Sequence, residues 1–158
     1  MREIIFRAKN YRTGQWVYGI YFKNPVSRFN EGAYYPQIIP EIHGVHDTIE
    51  RCSIVEDTLG QFTGLTDKNG VKIFEGDILE SFYKKKRIVS VVKYGGFEPE
   101  IFYECAEAQG FFLHGMKLYG LYAYDLAGSE MMLTEDMRQA KIIGNVYDNP
   151  ELLRGVDK

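Results

Sequence analysis

The sequence of 158 residues contains little of several features that would mark a particular class of protein. Its two cysteines, Cys52 and Cys105, are too few for a disulfide framework and favour a reducing compartment. No apolar run approaches the roughly 20 residues that cross a bilayer, and residues 1–7 lack the apolar stretch of a signal peptide. We therefore predict a soluble protein of the cytoplasm that makes no use of a membrane.

The chain also carries little net charge. A net charge of −3 gives no global attraction to the phosphates of nucleic acids or to anionic lipids. One local exception is a run of four cations at the tip of a predicted hairpin. Four adjacent cations can contact the phosphates of a nucleic acid. The alternative is a charged turn that keeps the hairpin soluble. The run consists of Lys84, Lys85, Lys86 and Arg87.

Aromatic residues and glycine, in contrast, are abundant. Twelve tyrosines, ten phenylalanines and sixteen glycines favour strands and tight turns over helical packing. A chain of this length buries enough surface for one core, so we predict a single all-β domain over residues 1–158, with a minor helical part.

The first half of the chain reads as strands and turns. Residues 4–8 and 16–22 predict an opening hairpin, and the alternation of Trp16, Tyr18, Ile20 and Phe22 predicts the side of the second strand that faces the core. Residues 34–40 have strand composition, but two prolines remove ladder donors and predict an edge strand. A further short strand is expected over residues 48–55.

Residues 60–79 encode a hairpin followed by a corner. Asp67 suits the first position of a type I turn, and Gly70 the left-handed position of a bulged hairpin. At the corner, Gly76 permits a sharp turn and Asp77 can accept hydrogen bonds from turn amides. Residues 78–83 and 88–94 then predict a central hairpin, the second strand being buried on both faces.

The last third predicts short elements. Strands are expected at 101–103, 110–113, 121–124 and 141–147, with a helical turn or two within 130–138. Asn149 as N-cap and Pro150 at the first helical position predict a short C-terminal helix that runs to Leu153.

Reactive side chains form no specific motif. His43, His46 and Cys52 supply three zinc ligands, but their spacing fits no closed tetrahedral pattern, and a surface loop is the simpler interpretation. Cys52 or Cys105 beside His114 lacks the local signature of a nucleophile. The carboxylates at 125, 130, 135 and 136 read as solvated loop charges. We expect no cofactor, no bound metal and no catalysis.

Three blocks of the sequence resemble one family. Gly-Gln-Phe-Thr-Gly-Leu-Thr-Asp-Lys-Asn-Gly at 60–70, Glu-Gly-Asp-Ile at 75–78 and Ile-Gly-Asn-Val-Tyr-Asp-Asn-Pro-Glu-Leu-Leu at 143–153 are similar to the YopX family of phage and prophage proteins. The resemblance implies a phage-encoded protein of the bacterial cytoplasm. It implies a strongly bent mixed sheet with SH3-like or barrel character, and no known activity. The positions that it carries over are structural: Gly64, Asp67, Gly70, Gly76, Asp77, Gly144, Asn145 and Pro150.

The surplus of aromatic residues is the best functional clue in the sequence. It exceeds what one small core needs, and tyrosine and phenylalanine are enriched at protein interfaces. We therefore predict a non-catalytic module that binds a host or phage protein, or a second copy of itself. A nucleic-acid accessory protein that uses residues 84–87 and a small hydrolase are the alternatives. The predicted interface residues are Tyr34, Tyr35, Phe102, Tyr103, Phe111, Phe112, Tyr122 and Tyr124.

Overall fold

The computed structural model describes residues 3–25, 34–40, 53–83, 86–97, 108–118, 131–132 and 139–153. These residues are mostly in strands, and no α-helix occurs among them, so the predicted all-β class is confirmed. No helix in these ranges has the length and hydrophobicity to span a bilayer. The chain divides into two compact units, residues 1–62 and 63–158. The single domain over 1–158 stays a prediction.

The N-terminal unit is built around its first strand. β1 (Phe6–Asn10) pairs antiparallel with β2 (Trp16–Pro25) on one side and with the first part of β4 (Ile54–Thr66) on the other. β2 also pairs with β3 (Tyr34–Pro40), which gives the order β3-β2-β1-β4. β3 lies at the end of this order, so the predicted edge strand is confirmed. A single bridge joins Gln37 of β3 to Ser53, directly before β4.

The core of this unit lies on the opposite side of β2 from the one predicted. Ala8, Ile38 and Ile54 are buried there, and the partly buried Val17 and Tyr21 of β2 pack against them. The prediction that the even-numbered side of β2 forms the core is therefore wrong. Both sides of this strand carry large apolar residues, so alternation reveals the strand without revealing which side is packed.

The C-terminal unit begins with the end of β4, which pairs with β5 (Lys72–Phe74). A second antiparallel sheet follows, in the order β10-β6-β7-β8-β9. The predicted hairpin of β6 and β7 lies centrally in that order and is confirmed. The strands of this sheet are β6 (Asp77–Tyr83), β7 (Lys86–Phe97), β8 (Ala108–Leu118), β9 (Met131–Met132) and β10 (Lys141–Asn145).

β7 is buried on both faces, as its continuous apolar run predicts. On one face Val92 joins a cluster that includes Leu79 and Leu113. On the other face Val89 and Val91 join Ile78 and the partly buried Ile143, Val146, Leu152 and Leu153. Each of these two packed layers covers a different side of the β6–β7 pair.

The structure differs from the predicted fold in three details. The sheets are antiparallel and not mixed: short turns force this direction on the β1–β2 and β6–β7 pairs, since a parallel pair needs a long crossover, and the more distant pairs β1–β4 and β6–β10 are antiparallel as well. The C-terminal helix is a 3-10 turn over Pro150–Leu153, where the N–H of Leu152 donates to the carbonyl of Asn149 at 3.1 Å. Met131 and Met132 form a strand inside the predicted helical segment 130–138. The SH3-like or barrel character stays a prediction.

Candidate interaction surface

The side of β2 that turns away from the core carries a row of large apolar residues. Because directly opposed residues of an antiparallel pair share a face, the register places Ile39 of β3 beside Ile20 and Gln37 beside Phe22, with Tyr35 two residues before Gln37 on the same side of β3. We call this surface the outer face. It comprises Trp16, Tyr18, Ile20 and Phe22 of β2 with Tyr35, Gln37 and Ile39 of β3, and Gln37 is its buried member.

Four members of the outer face are about half exposed or more. The exposed fractions are 49% for Tyr18, 62% for Ile20, 51% for Tyr35 and 49% for Ile39. Single exposed apolar residues are common on protein surfaces, whereas neighbouring ones on paired strands form a patch. The outer face is such a patch, since Ile20 and Ile39 lie directly opposite each other.

Two cations of β1 border the outer face. Lys9 lies opposite Trp16, and Arg7 lies opposite Tyr18. The guanidinium carbon of Arg7 is 4.8 Å from the centre of a Trp16 ring, and the ammonium of Lys9 is 5.7 Å from it. Both distances suit an attraction between a cation and an aromatic face. Arg7 is itself buried, so this margin of the surface is tightly packed.

Hydrogen bonds on the neighbouring segments hold the strands beneath this surface. Asn10 ends β1, and its Oδ1 accepts the N–H groups of Arg12 and Thr13 at 3.0 and 2.9 Å, which orders the turn into β2. The hydroxyl of Tyr21 donates to Oε1 of Glu56 at 2.8 Å. The hydroxyl of Thr58 accepts the N–H of Lys9 at 2.8 Å where the register between β1 and β4 shifts.

The eight predicted interface aromatics separate into three groups. Tyr35 lies on the outer face. Phe111 and Phe112 are buried on β8, so they are core residues and not surface residues; their strand pairs with the buried β7, and both its faces are covered. The side chain of Tyr34 lies outside the described residues, and so do Phe102, Tyr103, Tyr122 and Tyr124.

The basic hairpin tip is described only at its base. Lys84 and Lys85, like the side chain of Lys86, lie outside the described residues, and the backbone of Lys86 pairs with Tyr83. The guanidinium Nε of Arg87 donates to the carboxylate of Glu80, which lies two positions along on the paired strand β6. The charge of Arg87 is therefore balanced locally.

Asp67 accepts three main-chain N–H groups that belong to two segments of the chain. Its Oδ1 accepts the N–H groups of Asn69 at 2.8 Å and Val71 at 3.0 Å, and its Oδ2 accepts the N–H of Ile142 in β10 at 3.2 Å. Burial raises the pKa of this carboxyl, but the hydrogen bonds outweigh burial and hold its pKa below the ordinary value. Gly70 closes the turn from the left-handed region, with its N–H on the carbonyl of Asp67 at 2.9 Å.

The corner after β5 is organised in the same way. The Oδ2 of the fully buried Asp77 accepts the N–H of Phe74 at 2.8 Å. Gly76 has a φ of 82°, and its N–H and carbonyl bond to Val92 and Val146, both at 2.9 Å. The corner thereby connects β7 with the segment after β10. Gly64, also with positive φ, lies near the end of β4.

The turn after β10 is closed by two asparagines. The Oδ1 of Asn145 accepts the N–H groups of Tyr147 at 3.0 Å and Asp148 at 2.9 Å. A Cβ at Gly144 would lie 2.5 Å from Oδ1 of Asn149, so the close approach of that side chain requires glycine. Pro150 then opens the 3-10 turn.

Within the described ranges, no group of three or more His, Cys, Asp or Glu residues is placed to hold a metal ion. His43, His46, Cys52 and Cys105 fall outside those ranges. His114 packs its ring edge-on against Phe112, with 6.5 Å between the ring centres. Sequence reasoning missed Tyr18, Ile20 and Ile39 as surface residues. The signal for Tyr18 and Ile20 was that β2 carries large apolar residues on both sides, whereas a single core covers one side of the strand.

The fold and the surface together define an antiparallel β protein in which Asp67, Asp77 and Asn145 bind main-chain amides of turns, and whose N-terminal sheet has a partly exposed apolar face. The sequence model described as YopX protein matches residues 5–154, and the chain belongs to the YopX family.

Two further comparisons complete this result. The chain is similar to the crystal structure of protein EF1440 from Enterococcus faecalis, with 22% sequence identity and a TM-score of 0.45. That match covers 97% of this chain and 99% of the other. No curated protein matches the chain.

Proposed function

We propose that this chain is a non-catalytic protein-interaction module that binds a protein partner through the outer face. The observation that carries the proposal is the half-exposed row of Tyr18, Ile20, Tyr35 and Ile39 on two paired strands. Membership of the YopX family supports a phage-type protein that acts in the cytoplasm of its bacterial host. The partner is then a protein of the phage or the host.

The size of the outer face sets the strength of such binding. Four half-exposed side chains of this size offer roughly 400 Å² of area, since large side chains bury about 150–250 Å² each. At about 25 cal/mol per Å² this area supplies roughly 10 kcal/mol before the costs of association. Those costs are of similar size, so we expect weak or transient binding.

The polar residues support a role without catalysis. Asp67, Asp77 and Asn145 direct their side-chain oxygens at main-chain N–H groups of turns. A catalytic acid or base needs its oxygen within reach of a substrate in a cleft. These three oxygens serve the fold, so they lend no support to the alternative of a small hydrolase within the part of the chain that the structure describes.

The nucleic-acid alternative also has less support than the protein alternative. Of the four cations at 84–87, Arg87 contacts Glu80 and so contributes less to a positive patch. Binding to phosphates by the remaining three predicts an affinity that falls steeply with salt. A salt titration with single-stranded DNA and RNA distinguishes this alternative from the proposal.

Capture of partners from phage-infected bacteria, followed by binding to the purified partner, tests the proposed function. Ile20→Glu places a charge in the centre of the outer face and should abolish binding. Phe82→Glu is the matched control, because Phe82 is 64% exposed in the C-terminal unit, close to the 62% of Ile20. Equal binding by both variants and the unchanged protein would contradict the proposal.

A further inference from the structure

We propose that Asn69 is a site of spontaneous deamidation, that the closed turn at Asp67 protects it, and that the product of the reaction keeps this turn from closing again. Asn69 and Gly70 form the only Asn-Gly pair in the sequence. Both residues are exposed in the turn between β4 and β5. The site lies in the C-terminal unit, so the inference is independent of the outer face.

The reaction joins the asparagine side chain to the next main-chain nitrogen. The amide nitrogen of Gly70 gives up its proton and bonds to the side-chain carbonyl carbon of Asn69, whose side-chain nitrogen takes up a proton and leaves as ammonia. The product is a cyclic succinimide. Water then opens the ring at either carbonyl, which gives an aspartate or an isoaspartate whose main chain runs through the side-chain carbons. Water is the only co-reactant, and nothing is oxidised or reduced.

The residue that follows Asn69 favours this attack. Glycine has no Cβ, so its nitrogen is the least hindered. Every other asparagine of the chain is followed by a residue with a side chain. A Cβ built at Gly70 would meet no described atom within 4 Å, so the turn is open to water on this side. Both steps of the reaction are therefore accessible at Asn69.

The closed turn opposes the same attack. The N–H of Gly70 donates to the carbonyl of Asp67 at 2.9 Å, so the proton that must leave is held. The side-chain nitrogen of Asn69 donates to Oδ2 of Asp67 at 3.3 Å, and its main-chain N–H donates to Oδ1 at 2.8 Å. Asp67 thus holds both the attacking and the leaving nitrogen. Deamidation then proceeds from the opened turn, and its rate follows the population of that state.

The product cannot restore these bonds. An aspartate at position 69 puts a second carboxylate where a donor amide faced Oδ2 of Asp67, and like charges repel. An isoaspartate lengthens the main chain before Val71, whose N–H donates to Oδ1 of Asp67 at 3.0 Å. Oδ2 also accepts the N–H of Ile142, so the disturbance reaches β10. Opening of the turn is reversible before the reaction and permanent after it.

Mass spectrometry of the full chain, incubated at neutral pH, tests the proposal. Digestion after lysine releases residues 69–72 as one peptide, which gains the mass difference between an amide and an acid. This peptide should deamidate about tenfold more slowly in the folded protein than in guanidinium chloride, because two hydrogen bonds must break first. Equal rates in the two states would overturn the protection. An unmodified peptide in both states would overturn the site itself.

A substitution at Asp67 tests which group protects the site. Asp67→Ala should raise the rate in the folded protein about tenfold, to near the rate of the unfolded chain. Val89→Ala is the control, because Val89 is buried in the layer around Ile78 and removes no bond of the turn. Its rate should stay within about twofold of the unchanged protein. A rate that Asp67→Ala leaves unchanged would refute the role of this carboxylate.

Hydrogen exchange of the Gly70 amide provides a test that needs no variant. Exchange and deamidation both require release of this N–H. The protection factor of Gly70 should therefore match the slowing of deamidation within about threefold. Deamidation that is slowed much less than exchange would mean attack from the closed turn, which contradicts the proposal.

The effect of the product can be measured with substitutions at the site. Asn69→Asp should lower the midpoint of thermal unfolding by about 2–4 °C, because it sets a second carboxylate beside Asp67. Asn69→Ala is the matched control, since it loses the same hydrogen bond without adding a charge, and its midpoint should fall by less. An Asn69→Asp variant as stable as Asn69→Ala would overturn the proposed effect of the product.

Discussion

β2 and β7 are both rich in large apolar residues, but their surroundings differ. β7 lies between β6 and β8 and has a packed cluster on each face. β2 has a packed cluster on one face, formed around Ala8, Ile38 and Ile54, while its other face is half exposed. We therefore expect the apolar residues of β7 to be needed for folding, and the most exposed residue of β2, Ile20, to contribute little to it.

A pair of truncations should separate the packed surroundings of β7 from the exposed face of β2 most clearly. Leu79 of β6 is fully buried beside β7. Its replacement by Ala should lower the free energy of unfolding by about 3 kcal/mol, because apolar burial is lost and a cavity remains. Ile20→Ala should change stability by less than about 0.5 kcal/mol. Urea unfolding with unchanged m-values measures both. A cost above about 2 kcal/mol for Ile20→Ala would show that the outer face has a packing role after all.

Substitution of Gly144 tests how closely side chains fit around the backbone in the C-terminal unit. Gly144→Ala places its Cβ within 2.5–2.9 Å of three side-chain atoms of Asn149, and we expect a loss of about 1–3 kcal/mol. The cost should be smaller in the background of Asn149→Ala, because the obstructing group is gone. Additive effects in this double-mutant cycle would refute the steric explanation.

Asp67 should make the C-terminal unit sensitive to acid. Its pKa lies below the ordinary 3.8 because main-chain N–H groups stabilise the carboxylate. The stabilisation is complete above the ordinary pKa and is lost as pH falls through the lowered pKa of the folded state. Unfolding measured between about pH 5 and 2 should therefore show a steeper loss in the unchanged protein than in Asp67→Asn. Parallel curves would contradict this role.

Ser90 should give a small effect of opposite sign, because it is a polar exception within β7. Its hydroxyl is buried without a hydrogen-bond partner among the residues that the structure describes. Ser90→Ala removes this polar atom and should be neutral or stabilising by up to about 1 kcal/mol. Thermal unfolding measures the change. A clear loss of stability would mean that the hydroxyl is satisfied, and that β7 has a polar function as well as a packing one.

The sequence predicts strands better than it predicts their faces. The hairpin of β6 and β7, the edge position of β3 and the turn at Asp67 follow from local signals: an unbroken apolar run, two prolines, and an Asp with a following Gly. The side of β2 that meets the core depends on which other segments cover it, and this is not local information. The burial of Phe111 and Phe112 likewise depends on pairing with β7. The outer face therefore became visible only in the structure.

The bond between Asp67 and Ile142 spans 75 residues of sequence and has a consequence for synthesis. The turn at 67–70 can close as soon as it leaves the ribosome, because its own N–H groups are local. Its second carboxylate oxygen meets the amide of Ile142 only after the rest of the C-terminal unit has been translated. β10 therefore completes the hydrogen bonds of a turn that forms much earlier in synthesis. We expect the C-terminal unit to finish folding only after nearly all of its residues have left the ribosome.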